Sequence, residues 1–243
     1  MTPKPVTSKI VKPVDAAGLV LIRAARNGAP EILLGRRYAR AGFLPDIYVV
    51  PGGRVDPADH APSGFVERLH PAVSAALSSG GTRRPSLAFP RAALRETHEE
   101  TGLLVGEPGA PIDAPNAPVW KAYGELGLAP DFAAMDFICR AITPVTSARR
   151  YNTRFFLADG AQAVGALGSN GELEDLAWRP VSALAGLDIV DVTEYVLKEA
   201  LRRWQARVNG GRPAGAEPPK LLNYRNDIMT LSRHRARLEP TRP

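Results

Sequence analysis

One cysteine, Cys139, stands alone in 243 residues. A single thiol excludes an internal disulfide framework and suits a reducing compartment. Histidine is scarce as well: His60, His70, His98 and His234 are scattered, with no zinc-ligand spacing. Aromatic residues make up 7% and do not interleave with the basic ones, so no stacking platform for single-stranded nucleic acid is indicated. No helix-turn-helix signature is seen either. No apolar run reaches the length of a membrane span, and the Pro/Lys-rich N-terminal stretch lacks the apolar core of a leader. These absences predict a soluble cytoplasmic protein with neither membrane nor nucleic acid as its partner.

What is present supports one large core. Apolar residues account for 44%, enough for a single domain of this length. The formal charge is +6, with a pI near 9.7, a balance that attracts polyanions such as nucleotides and diphosphate esters. The basic doublets at 36–37, 83–84, 149–150 and 202–203 are dispersed, and only 233–237 (RHRAR) forms a run. Dispersed arginines read first as solvated surface.

The most informative stretch is 91–103, RAALRETHEETGL, with Pro51-Gly52-Gly53 upstream. Ala92, Ala93, Leu94, Arg95 and Glu96 favour a helix, and Gly102 sits where one would stop in a left-handed residue. Glu96, Glu99 and Glu100 are spaced i, i+3, i+4, so they project within about a 100° arc of that helix. Three carboxylates so close repel one another. Two readings follow: a solvated acidic face, or oxygen ligands for a hard divalent cation. His98 falls on the opposite face. The adjacent glycines at 52 and 53 permit a turn with close backbone approach.

These residues resemble the Nudix box, G-x5-E-x7-R-E-U-x-E-E-x-G-U with U bulky and apolar. Arg95 to Leu103 fits its second half, with Thr97 in place of an apolar residue. Six residues after Gly53 comes Asp59, an acid at the position of the first Glu. Arg95 then arrives roughly 28 residues late, so 60–90 reads as an insertion in the loop before the helix, a change loops tolerate. The peroxisomal coenzyme A diphosphatases of the Nudix family resemble this interrupted arrangement. Their upstream motif, LLTxR(S/A)x3Rx3Gx3FPGG, is matched in part by LLGRRYARAGFLPDIYVVPGG: Leu33, Leu34, Arg37, Pro51, Gly52 and Gly53 agree, whereas Gly42, Asp46 and Val50 depart. The stretch 142–158 is similar to another segment of that group, TP…R(F/Y)(D/N)T-x-FF.

The resemblance implies an α/β fold, a Nudix-type α/β/α sandwich around a mixed sheet. Its expected organisation is an N-terminal arm at 1–13, a Nudix domain at 14–208 with the insertion at 60–90, a linker at 209–219 and a C-terminal extension at 220–243. Apolar patterning predicts strands at 16–23 and 31–37, joined by a hairpin turn, and at 47–50, 119–126, 137–142, 153–158 and 173–178. Helices are predicted at 64–77 and 193–208, the latter with Val196, Leu197, Ala200, Leu201, Trp204 and Val208 on one face.

The implied chemistry is Mg²⁺-dependent hydrolysis, with Mn²⁺ as a substitute, of a diphosphate joining a nucleoside to another group. Coenzyme A or acyl-coenzyme A is the first expectation for the substrate; ADP-ribose or a dinucleotide is the alternative, and a non-catalytic nucleotide sensor the remote one. By family analogy Glu96, Glu99, Glu100 and the Gly53 carbonyl hold the metal, Arg95 orients a glutamate, and Glu99 or Glu100 serves catalysis. A downstream acid acts as base in some members; Glu172, Glu174 and Asp175 fall in that region, with Glu174 preferred. Arg37, Arg149 and Arg150 are the expected substrate-phosphate ligands. Homodimers are common in that family, although no residue pattern here specifies one.

Overall fold

The computed structural model describes residues 11–39, 44–78, 87–115, 117–211, 213–225 and 228–234. Positions 1–10 of the expected arm, Gly42 of the upstream motif, most of the glycine- and arginine-rich tip of the insertion and 235–243 lie outside them.

The chain runs β1 (Val14–Ala24), β2 (Pro30–Arg37), β3 (Tyr48–Val49), β4 (Gly52–Arg54), α1 (Pro71–Leu77), α2 (Ala88–Thr101), β5 (Leu104–Pro108), α3 (Pro118–Glu125), β6 (Leu128–Pro130), β7 (Asp136–Ile142), β8 (Tyr151–Asp159), β9 (Ala163–Val164), β10 (Leu173–Pro180), α4 (Asp191–Gly210), β11 (Lys220–Arg225) and β12 (Ile228–Arg233). The main sheet has the order β10-β2-β1-β8-β7-β11-β12, with β3 on β2 and β4 on β1. β1 and β8 are parallel, as are β7 and β11, whereas β1 and β2 form a hairpin. The sheet is mixed, as expected. A small second sheet joins β6, β5 and β9.

Alternation along β1 explains the layering. Ala17, Leu19 and Leu21 enter a core with α1, α2 and α3 on one side of the sheet, together with Phe137 and Phe156. Val20 and Ile22 enter the other core with Val196, Leu197, Ala200 and Trp204 of α4. Helices on both faces give the three-layer sandwich, and every residue from Leu19 to Ile22 is fully buried. Among the described residues no helix is long and apolar enough to cross a membrane.

Three expectations need correction. Residues 119–126 do not form a strand: α3 starts on Pro118 and buries Val119, Trp120 and Tyr123, a helical spacing. The Tyr123 hydroxyl then satisfies both the N–H and the carbonyl of Val105, tying α3 to β5. The helix expected over 64–77 is confined to α1, because the residue before Pro71 is held extended, and His70 has φ −55°, ψ 137°. On α4, Val208 is 60% exposed rather than part of the buried face.

The stretch expected as a linker is not loose. Arg203 of α4 is buried and donates to both Asp136 oxygens at 3.2 and 3.3 Å, and to the Glu217 and Pro218 carbonyls at 3.2 and 3.1 Å. The Gly215 N–H donates to Asp136 at 3.0 Å. This clamp leads the chain back onto β7, where β11 pairs in parallel, so the hairpin at 220–233 continues the main sheet. Replacing Arg203 by alanine strands a buried carboxylate and frees this return. Arg203→Ala is expected to lose about 3–5 kcal/mol of stability, measured by urea unfolding.

Candidate active site

Helix α2 brings the acidic residues to the sheet. It ends as its sequence indicates, on Gly102 in the left-handed region (φ 73°). Thr97 departs from an apolar pattern, and its buried hydroxyl is satisfied by donating to the Ala93 carbonyl at 2.7 Å within the same helix.

Arg95 organises the side chains around it. Its Nε and Nη2 grip the two oxygens of Asp59 at 3.0 and 2.9 Å. Nη2 also donates to the Arg54 carbonyl at 3.0 Å, and Nη1 donates to Glu96 at 3.0 Å and to Glu99 at 2.8 Å. Asp59 is 2% exposed. It stands in a short 3-10 turn, Pro57–His60, whose Asp56 N–H donates to its Oδ2. The acid counted from Gly53 thus meets the arginine of the helix despite the intervening insertion.

The loop between Asp59 and α2 supports this contact. Arg91, a buried residue not singled out in the sequence, donates to the Asp59 carbonyl at 2.9 Å and to both oxygens of Glu67, with Nε at 2.7 Å from Oε1. Burial raises the Glu67 pKa, but hydrogen bonds from Arg91 and Ser63 outweigh it and hold the carboxyl below its ordinary range. Neither residue stood out because each lies in an unremarkable local context; only the folded loop brings them together.

The glycine turn lies under the carboxylates. The Gly52 N–H donates to Glu100 Oε2 at 2.8 Å. A Cβ on Gly52 would stand 2.5 Å from the Ala17 carbonyl oxygen, and one on Gly53 only 2.4 Å from the Glu96 carboxyl carbon. Gly52 is therefore required by close approach of backbone, whereas a side chain at 53 would push the Glu96 carboxylate aside.

Glu96, Glu99, Glu100, Arg95, Gly53 and Arg37 all line one cleft of about 660 Å³, a volume typical of small-molecule sites. Burial pushes the Glu96 carboxyl up to about 7 and that of Glu100 up to about 8. Among the described residues no three Asp, Glu, His or Cys side chains already converge as a cation cage: Glu96 and Glu99 are turned to Arg95, and Glu100 to the Gly52 N–H. Yet all three carboxylates open on the same cleft, and two of them lack enough positive charge nearby to hold their ionised form at its ordinary pKa. That donor set fits a hard divalent cation with oxygen ligands.

The other expected residues separate. Arg37 faces the cleft with its Nε buried and unpaired. Arg149 is exposed, whereas Arg150 is buried and donates to the Thr143 and Val11 carbonyls at 3.2 and 2.8 Å; neither lines the cleft. Glu174 does not line it either, because it pairs with Arg36 at 2.9 Å, while Glu172 does. β10 is an edge strand with a register shift between Glu174 and Ala177, and the two acids differ because Glu174 is paired across it with Arg36 of β2 while Glu172 precedes the strand.

A Nudix hydrolase from Alicyclobacillus acidocaldarius superimposes on this fold with a TM-score of 0.61 and 29% identity, covering 85% of this chain and 99% of that one. The chain has the Nudix fold. The PGG turn leading into β4 and the acidic helix α2 sit on that fold. Acyl-coenzyme A diphosphatase NUDT19 of Gallus gallus is 29% identical over 59% of this chain and 54% of its own length. The chain therefore spans about half the length of the curated relative it matches. No protein-family model matches the chain.

Gly53→Ala is expected to displace the Glu96 carboxylate while leaving the sheet register intact. Turnover should fall about 100-fold, the scale of an ångström-sized misplacement, in steady-state kinetics, with an unchanged circular dichroism spectrum.

Proposed function

We propose that this protein is a Mg²⁺-dependent Nudix diphosphatase that cleaves coenzyme A or acyl-coenzyme A between its two phosphates. The observation that carries the reaction class is the set of Glu96, Glu99 and Glu100 opening on one cleft, braced by Arg95 and Asp59. Those glutamates and the Gly53 carbonyl would hold the cation. When bound, Mg²⁺, or Mn²⁺ in its place, neutralises the diphosphate and polarises its phosphorus–oxygen bonds.

The chain's own residues do the rest. Arg95 keeps Glu96 and Glu99 on the cleft side of α2 against their mutual repulsion. Arg37 lines the cleft, and its guanidinium binds a phosphate oxygen there. Glu172 lines the cleft and acts electrostatically on Glu96 and Glu100, so it replaces Glu174 as the acid positioned to accept the proton of the attacking water. The acyl-coenzyme A choice is supported by the interrupted box, the partial upstream motif and the likeness to the Gallus gallus diphosphatase.

Glu99→Gln and Glu100→Gln should each lower turnover by at least about 100-fold, a loss of several kcal/mol of charge stabilisation, with the fold retained; parent-like rates would remove the site. Glu172→Gln should cost about 100-fold through loss of proton transfer, whereas Glu174→Gln should stay within about twofold, the usual range for a partly exposed ion pair. The substrate is tested with a panel of coenzyme A, acyl-coenzyme A, ADP-ribose and dinucleotides in Mg²⁺. Release of 3′,5′-ADP and a phosphopantetheine product is expected; preferential cleavage of ADP-ribose or a dinucleotide would overturn the coenzyme A choice and keep the reaction class.

A further inference from the structure

The cleft extends well beyond the glutamates. Its lining crosses the sheet from Ala17 on β1 through Phe155 on β8 and Ile142 on β7 to Tyr224 on β11. Strands lie about 4.8 Å apart, so β11 stands about 14 Å from β1, on which the Gly52–Gly53 turn is paired. A substrate that fills this cleft is elongated, with a diphosphate at one end and an arm crossing three strand spacings.

The far end has a defined hydrogen-bonding character. Asp191, the first residue of α4, accepts at Oδ1 from the Val192 N–H at 2.7 Å and from the Tyr224 hydroxyl at 2.8 Å. The Tyr224 hydroxyl proton is thus engaged. What these side chains still present is acceptor capacity: Asp191 Oδ2, which has no partner among the described residues, and the phenolic oxygen. A phosphate finds no side-chain donor in this pair and is repelled by the carboxylate. An N–H group finds a charged acceptor.

We propose that Asp191 and Tyr224 form a distal subsite that accepts an N–H donor carried by the part of the substrate remote from the diphosphate. Two sources share that chemistry, an amide of an acyl-bearing arm and the exocyclic amine of a nucleobase. The proposal deepens the diphosphatase reading and rests on it for the position of the phosphates. It also gives the C-terminal hairpin a part in recognition, since Tyr224 reaches the cleft only because Arg203 returns the chain to β7.

The test measures binding apart from turnover. Calorimetry in Mg²⁺ compares the parent with Asp191→Asn and Tyr224→Phe, using 4′-phosphopantetheine, 3′,5′-ADP, AMP and inorganic phosphate as probes. Asp191→Asn keeps the shape and removes the charge, and Tyr224→Phe keeps the packing, so each checks the other against a local folding defect. Expected is a loss of about tenfold, the size of one charge-assisted hydrogen bond, for one class of probe in both variants, with phosphate binding unaltered. Loss confined to 4′-phosphopantetheine assigns the subsite to the amide arm; loss confined to 3′,5′-ADP and AMP assigns it to the base. Parent-like affinity for all probes in both variants, or no binding of the organic probes to the parent, overturns the proposal. A parent that binds the probes yet hydrolyses no diphosphate ends the enzymatic reading and leaves the subsite standing.

Discussion

A guanidinium held at Arg95 between Asp59 on one side and Glu96 and Glu99 on the other sets the conditions for everything nearby. Three carboxylates on one helical face repel, and two of them are largely withdrawn from water. A single planar cation with several fixed donors relieves part of that repulsion and fixes the rotamers of its neighbours. Because Arg95 is itself buried, the Asp59 partnership is obligatory: a guanidinium without it would be a charge in a poorly solvated place. The loop from β4 to α2 must therefore return Asp59 to one position, whatever else it carries.

That constraint explains how Asp59 and Arg95 stay paired across a separation of 36 residues. The chain leaves the helix-facing side after the short 3-10 turn and returns through Leu87 into α2, with Arg91 holding the Asp59 carbonyl and Glu67 at once. The intervening segment is anchored at its base by the same helix that carries the acids. Loop closure over such a length costs little extra entropy, and the anchoring contacts fall on buried, charge-assisted hydrogen bonds.

A second clamp acts at the opposite side of the sheet. Arg203 and Asp136 fasten α4, the start of β7 and the segment leading to β11. Both clamps pair a buried arginine with a buried aspartate, and both bring distant chain segments to the rim of one cleft. Arg95 shapes the glutamate-lined end, and Arg203 sets the frame from which Tyr224 reaches the other.

Much of this was legible in the residues. The i, i+3, i+4 glutamates, Gly102 at the helix end and the apolar runs of β1 and β2 follow from local composition and backbone freedom, which do not depend on distant partners. Asp59 was found by counting from Gly53. Local pattern failed where a longer contact decides. Residues 119–126 have strand-like composition, yet Tyr123 is claimed by Val105 and the segment is helical. Glu172 and Glu174 are equivalent in sequence, and only the ion pair of Glu174 with Arg36 across the β2–β10 pairing separates them. Arg150 looks like a loop cation until its guanidinium is seen satisfying backbone carbonyls. The sequence by itself determined which acids share a helix face and which glycines turn beneath them, because a short stretch of backbone carries its own geometry. Tertiary structure alone decided which charges are neutralised and which stay open to the cleft, because the partner of a buried charge is chosen by whichever strand or loop arrives beside it.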